Sequence, residues 1–276
     1  MKEKERVDVL LVRQGLFDSR EKAQRAVMAG MIYIENQRVD KPGSKIDAGT
    51  VLNVRGEVMP YVGRGGLKLE KALKVFDIDV TGKLMLDIGA STGGFTDCAL
   101  QNGVKKVYAL DVGYNQLAWK LRKDERVVVM EKTNFRYCTP EDFDQGKPNF
   151  ATIDVSFISL KKILPPLKEI LVSGSEIVAL IKPQFEAGRT EVGKKGVVHN
   201  PEVHIKVLRE ILNFANVTGF TILGLDYSPI TGGDGNIEFL AHLRSGPDTA
   251  GNLLNAQIVQ VVEQAHRTFR QNDREY

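Results

Sequence analysis

Short apolar runs separated by turn residues dominate the middle of this chain. Leu84 to Ile88, Lys106 to Leu110, Val127 to Glu131, Phe150 to Val155 and Glu176 to Lys182 are apolar for most of their length, and helical spacings lie between most of them. That alternation predicts a mostly parallel sheet with helices on both faces. Two later runs, TGFTILGLDYSPI and NIEFLAHLR, are joined by the glycine-rich turn TGGDG and should pair antiparallel. An amphipathic helix from Gly66, GLKLEKALKVF, precedes the first strand; another starts near Pro201, and LLNAQIVQVVEQAHRTFR predicts a terminal one.

The first sixty residues have a different grain. VDVLLVRQG reads as a short helix with an apolar stripe ending at a glycine. Asp18 and Glu21 form a D-x-x-E capping box, with Asp18 accepting from a free N–H, so a second helix should run through REKAQRAVMA and stop at Gly30. MIYIENQRV alternates like a strand, breaks at Glu35 and Asn36, and resumes; DAGTVLNV adds another strand. Two helices feeding a small twisted hairpin make a compact α+β module. RGEVMPYVGRGG then reads as a linker. The expected division is a module over 1–58, a linker over 59–66 and an α/β domain over 67–276, with no internal repeat or low-complexity segment.

Composition changes this picture little. At 42% hydrophobic and 26% charged, the chain is of ordinary soluble type. Its longest apolar runs, EIVALI and VVVM, fall far short of the roughly 20 residues a bilayer helix needs. MKEKERVD alternates charges without an apolar core, so no secretory signal is expected and the cytoplasm is the default. Cys98 and Cys138 lack metal or disulfide spacing and read as packed thiols, and His199 and His204 lack further ligands, so no metal is expected. The net charge of +3 permits an anionic partner without requiring one. Trp119 reads as a packing residue.

Candidate chemistry begins at LMLDIGASTGGFTD, where a strand ends in Asp87 and a glycine-rich turn opens a helix. Such a turn brings backbone N–H groups and a helix N-terminus up to a ligand. The spacing is neither a phosphate loop nor GxGxxG, and no lysine follows the last glycine. VKKVYALDVG ends a second strand in Asp111, where nucleoside-binding α/β domains place a carboxylate for ribose hydroxyls. Together they point to a nucleoside cofactor, S-adenosylmethionine foremost, although an ordinary turn beside a surface aspartate would give the same pattern. The expected cofactor set is Asp87, Gly89, Ala90, Ser91, Thr92, Gly93, Gly94, Phe95, Asp111, Asn134 and Asp154, with Asn134 equally readable as a turn cap and Phe95 as core.

Ligands of open α/β sheets sit beyond the carboxyl ends of the strands. Asp154 ends the fourth run and Lys182 the fifth, Glu238 lies in NIEFLAHL, and Lys68 sits on the helix before the first strand. A lysine followed by proline after six largely apolar residues belongs in a partly buried site beside a carboxylate. Phe157 and Phe185, near Asp154 and Lys182, have the placement to flank a base removed from its stack, as well as that of core residues. GRTEVGKKGVVHNP, with Arg189, Lys194 and Lys195, reads either as a loop beside the site suited to phosphates or as a solvated surface loop, and Arg64 in the linker is a further candidate for phosphate contact.

Three resemblances follow. The segment from Arg6 to Val54 resembles an S4 domain, the RNA-binding module of ribosomal protein S4 and pseudouridine synthases, which implicates Arg6, Arg20, Lys22, Arg25 and Lys41 in backbone contacts to RNA. The set Lys68, Asp154, Lys182, Glu238 resembles the K-D-K-E tetrad of FtsJ-like ribose 2′-O-methyltransferases in order and strand context. The combination resembles the TlyA family of ribosomal RNA cytidine-2′-O-methyltransferases, some of which carry the older label haemolysin. It implies a Rossmann-like methyltransferase sheet behind an S4 domain, S-adenosylmethionine as cofactor, and ribosomal RNA, 16S or 23S or both, as partner. A ribose hydroxyl must lose its proton as it attacks, and the tetrad implies Lys182 as the base, Lys68 as the neighbouring cation, and Asp154 and Glu238 as the groups that fix both. Lys182 held charged, stabilising the developing alkoxide, is the alternative. A non-catalytic RNA-binding protein and a pore former are the other readings; the intact tetrad opposes the first, and the lack of apolar spans or amphipathic barrel strands the second.

Overall fold

In the computed structural model, residues 4–28, 30–35, 37–55, 59–193, 195–246 and 255–272 are described. The chain divides into two units, Met1–Pro60 and Tyr61–Tyr276. The first contains β1 (Lys4–Arg6), α1 (Val7–Arg13), α2 (Arg20–Met28), β2 (Ile32–Ile34), β3 (Gln37–Arg38), β4 (Lys45–Asp47) and β5 (Asn53–Val54). The apolar stripes of both helices, including Leu10, Leu11, Ala23 and Val27, close over Ile32 and Leu52. β2 pairs with both β3 and β5, and β1 pairs antiparallel with β4, an addition to the expected hairpin. The α2 cap also differs from expectation. Ser19 Oγ accepts from the Lys22 N–H at 3.3 Å, while Asp18 pairs with the Lys22 ammonium at 2.7 Å. The shorter serine reaches the helix end, and the aspartate is left for an i,i+4 pair.

The second unit contains α3 (Gly65–Val75), β6 (Leu84–Ile88), α4 (Gly94–Gln101), β7 (Lys106–Leu110), α5 (Trp119–Arg122), β8 (Val127–Met130), β9 (Phe150–Ile153), α6 (Leu164–Ile170), β10 (Glu176–Ile181), α7 (Pro183–Glu186), α8 (Pro201–Thr218), β11 (Phe220–Tyr227), β12 (Phe239–Ser245) and α9 (Asn255–Asn272). The sheet order is β11-β12-β10-β9-β6-β7-β8. Strands β6 to β10 run parallel, and β12 lies antiparallel between β10 and β11. Successive residues of one strand feed opposite core layers, as the two-residue period of a strand demands. Ile177, Ala179 and Ile181 of β10 pack in the layer containing α6, α8 and α9, whereas Val178 and Leu180 pack in the one containing α3 and α4.

The chain leaves β6 toward β7 and β8, then returns through β9 to the other side of β6. This reversal opens a crevice at the carboxyl ends of β6 and β9, the position favoured for ligands in such sheets. The expected linker contributes to its wall. Tyr61 is buried and donates from its hydroxyl to Glu70 at 2.7 Å, the Val62 N–H donates to Asp97 at 2.8 Å, and α3 already begins at Gly65. Residues 61–66 therefore belong to the second unit, because their one aromatic ring is packed in its core.

Candidate active site

The four tetrad residues meet at the carboxyl rim of the sheet. Asp154 follows β9, Lys182 follows β10, and Lys68 lies in the first turn of α3. Glu238 immediately precedes β12; because that strand is antiparallel and its Phe239 pairs with Ile181, its amino end reaches the same rim. The Lys68 ammonium donates to Glu238 Oε2 at 2.6 Å and lies 3.6 Å from Asp154 Oδ2. Lys182 Nζ lies 2.6 Å from Asp154 Oδ1 and donates to Ser156 Oγ at 3.1 Å. Lys68, Lys182 and Glu238 are buried. Two cations and two carboxylates alternate, so each buried charge has an opposite neighbour and the group is neutral as a whole, a condition for keeping charge out of water.

These residues line a cavity of about 430 Å³, within the range of small-molecule sites. Ala90, Ser91, Thr92, Gly94 and Phe95 form one wall, and Ser156, Phe157, Gln184 and Phe185 another. Arg64 also lines it and donates to the Thr231 carbonyl at 3.2 Å. Phe157 is 90% exposed, holds a left-handed φ of 62°, and stands 4.9 Å from the Phe185 ring.

The glycine loop differs from expectation in how its N–H groups are used. Gly89 and Ala90 donate to the Leu110 carbonyl, Gly93 to Ala90, and Ser91 to Asp111 Oδ2 at 2.8 Å. The loop offers close approach, side-chain hydroxyls and the amino end of α4, where Gly94 and Phe95 line the cavity. An amino-acid carboxylate suits the positive end of a helix, and the Asp154 carboxylate suits an ammonium group, so these donors and acceptors fit the methionine portion of S-adenosylmethionine. Gly93, with φ of 97°, starts α4 and packs toward Leu117 and Leu121.

Three of the expected contacts also make hydrogen bonds within the protein. Asp111 accepts from Ser91 and from the Gly113 N–H at 2.7 Å, joining the loops after β6 and β7. Asn134 caps a short 3-10 turn by accepting from the Arg136 N–H. Asp87 is wholly buried and accepts from the hydroxyls of Thr96 at 2.7 Å and Thr152 at 2.9 Å, so it pins α4 and β9 to β6 from behind the cavity. Phe95 serves as core while contributing to the cavity wall.

Burial pushes the Asp87 carboxyl up to about 6, only partly offset by the two threonines. The folded protein thus holds this proton at pH values where the unfolded chain has released it. The resulting destabilisation is absent below the ordinary aspartate range, grows as pH rises through it, and is complete above about pH 6, where it amounts to ~3 kcal/mol. Asp87→Asn is expected to remove it: in urea titrations, stability relative to wild type should improve by ~2 kcal/mol between pH 4.5 and 8. A constant difference across that range would refute this role for Asp87.

The expected RNA contacts are distributed over both units. In the first, buried Asp8 accepts from Arg6 at 2.9 Å, Arg20 at 3.0 Å and Gln24 at 2.7 Å, and Arg6 foremost holds its carboxyl well below the usual range. Both guanidinium groups remain about half exposed, at 44% and 55%. Lys22 pairs with Asp18, Arg25 with Glu21, and Lys41 is exposed. In the second unit Arg189 and Lys195 are exposed, and Lys194 lies outside the described residues.

Trp119, read as a packing residue, is 69% exposed with the Lys123 ammonium 5.0 Å from its ring. It opens the short α5, whose Leu121 makes the buried contact instead. Glu131 was not singled out from the sequence. It pairs with Arg122, accepts from the N–H groups of Asn115, Gln116 and Leu117, and is held down to about 2, chiefly by Arg122. Ser156 and Gln184 were also missed. Their signal is position, since each follows a tetrad residue by two. Both cysteines are free and buried, and no metal-binding group of His, Cys, Asp and Glu occurs among the described residues. Nor is any described helix long and apolar enough to cross a membrane.

Comparison with known proteins agrees with this geometry. The FtsJ-like methyltransferase family model matches residues 61–245, and the S4 domain model matches 5–52. YqxC of Bacillus subtilis, provisionally described as an rRNA methyltransferase, is 62% identical over 97% of this chain and 96% of its own. The 16S/23S rRNA (cytidine-2′-O)-methyltransferase TlyA of Mycobacterium tuberculosis is 42% identical over 91% of this chain and 93% of its own. A solved candidate hemolysin from Streptococcus thermophilus is 57% identical, covers 99% of this chain and 100% of its own, and superposes with a TM-score of 0.78.

Proposed function

Because this chain belongs to the FtsJ-like methyltransferase family, in its S4-bearing TlyA group, we propose that it methylates a ribose 2′-OH of ribosomal RNA, at cytidine. The observation that carries the reading is the alternating group Glu238, Lys68, Asp154 and Lys182, three of its members buried, lining one cavity with the glycine loop. S-adenosylmethionine, when bound, supplies an electrophilic methyl group on a sulfonium. The α4 amino end, Ser91, Thr92 and Asp154 hold its methionine portion.

Lys68 is the structural cation of the group, in contact with both carboxylates. Lys182 contacts Asp154 alone among them, has Ser156 at its other side and lines the cavity, so it is the amine assigned to the hydroxyl proton. Asp154 fixes that amine, and in-line placement of the hydroxyl supplies much of the acceleration. Phe157 and Phe185 offer apolar faces for a base drawn out of its stack. The S4 unit supplies phosphate affinity through Arg6, Arg20, Lys22, Arg25 and Lys41, joined by Arg64, Arg189, Lys194 and Lys195. A ribosomal RNA substrate supports a cytoplasmic location.

The test is to incubate purified protein with S-adenosylmethionine and unmodified ribosomal subunits, then map methyl groups by mass spectrometry of nuclease fragments. A new 2′-O-methylcytidine in the small-subunit RNA, in the large-subunit RNA or in each of them is the expected product. Base methylation, or no methylation of RNA from either subunit, would overturn the reading.

A further inference from the structure

One buried polar atom in the cavity region has no hydrogen-bond partner among the described residues. Gln184 follows Pro183 in the first turn of α7 and lines the cavity; its Oε1 is buried and makes no hydrogen bond among the described residues. An unpaired buried acceptor costs about 1–3 kcal/mol, and such an atom in the wall of a site calls for a donor from a ligand.

The fold indicates which ligand. In the sheet β9 separates β10 from β6, so the glycine loop after β6 and Gln184 after β10 flank Asp154 from opposite sides. The cofactor takes the loop side; Gln184 shares the other with Lys182, Ser156, Phe157 and Phe185. The two phenyl rings suit the faces of a base, whereas a carboxamide, with an acceptor beside a donor, suits its edge. Rotation about its last side-chain torsion, which is broad, presents Oε1 to that edge.

We propose that Gln184 reads the target base, Oε1 accepting from the exocyclic amine of cytosine and Nε2 donating to its ring N3. This rests on the ribose 2′-O-methyltransferase reading above. A site built around such a pair loses more with an analogue that lacks the amine than with one of altered apolar shape.

The test uses ribosomal RNA carrying, at the mapped position, either cytidine or the pyrimidin-2-one riboside that lacks only the 4-amino group. For wild type, kcat/KM is expected to fall ~10- to 100-fold on removal of the amine, in keeping with one buried hydrogen bond. In Gln184→Ala and the similarly sized Gln184→Met, that ratio should collapse to below about threefold, with S-adenosylmethionine affinity by calorimetry retained. Variants that keep the wild-type ratio would overturn the role of Gln184 alone. Loss of S-adenosylmethionine binding in both would overturn its placement on the acceptor side, and a wild type that forms no 2′-O-methyl group would overturn the function and this inference together.

Discussion

Lys182→Ala is expected to lower kcat by at least ~1,000-fold, with S-adenosylmethionine still bound to within about threefold by calorimetry. The lysine reaches the cavity from the end of β10, but the proposed cofactor contacts come from the loop after β6 and from Asp154, which keeps Lys68 as a neighbour at 3.6 Å. Removing Lys182 therefore removes the proton acceptor and leaves the loop standing. Lys182→Arg separates base from charge. Arginine stays protonated, so a base mechanism leaves this variant as inactive as alanine, whereas stabilisation of an alkoxide by a fixed cation would preserve much of the rate. An alanine variant within tenfold of wild type would remove Lys182 from the mechanism.

Gly89→Ala should nearly abolish both cofactor binding and turnover. Gly89 holds φ of 88°, and a Cβ there would stand 2.4 Å from the Asp154 carbonyl oxygen and 2.9 Å from its carbon. Both obstructing atoms are backbone, so relief means moving either the loop or the end of β9, which carries the carboxylate between the two lysines. The expected cost is ~3 kcal/mol or more in stability, from left-handed strain plus overpacking, and a loss of more than tenfold in S-adenosylmethionine affinity. Gly235→Ala is the control. Gly235 has nearly the same φ, 89°, with nothing within 4 Å of the added carbon, so it should lose only ~1 kcal/mol. Equal losses at the two sites would show that backbone conformation matters and close packing does not.

Much of the fold was legible because its strands are short, apolar and bounded by turns. The runs ending at Ile88, Leu110 and Ile181 follow the two-residue alternation that assigns side chains to two core layers. The tetrad was legible for a related reason: polar residues that end buried strands have few places to go except the rim. Direction was not legible. Asp87 and Asp154 both lie at strand ends, yet one turns back to two threonines and the other toward two lysines. Asp111 was placed beside the cofactor, and Asn134 there or at a turn cap, by position along the chain; that nearby N–H groups engage both is a matter of three-dimensional placement. Gln184 was legible only by its position two residues after Lys182; its unpaired acceptor is defined by surroundings that no local pattern records.

The placement of β12 has a consequence for how the molecule comes into being. Lys68 and Glu238 are 170 positions apart, and Glu238 arrives only when β12 inserts between β10 and β11. Until that late, non-local pairing is made, Lys68 lacks its nearest carboxylate and burying it is unfavourable. Docking of the final hairpin and neutralisation of the site are thus one event, and a ribosome synthesising this chain must translate past Glu238 before the centre can close.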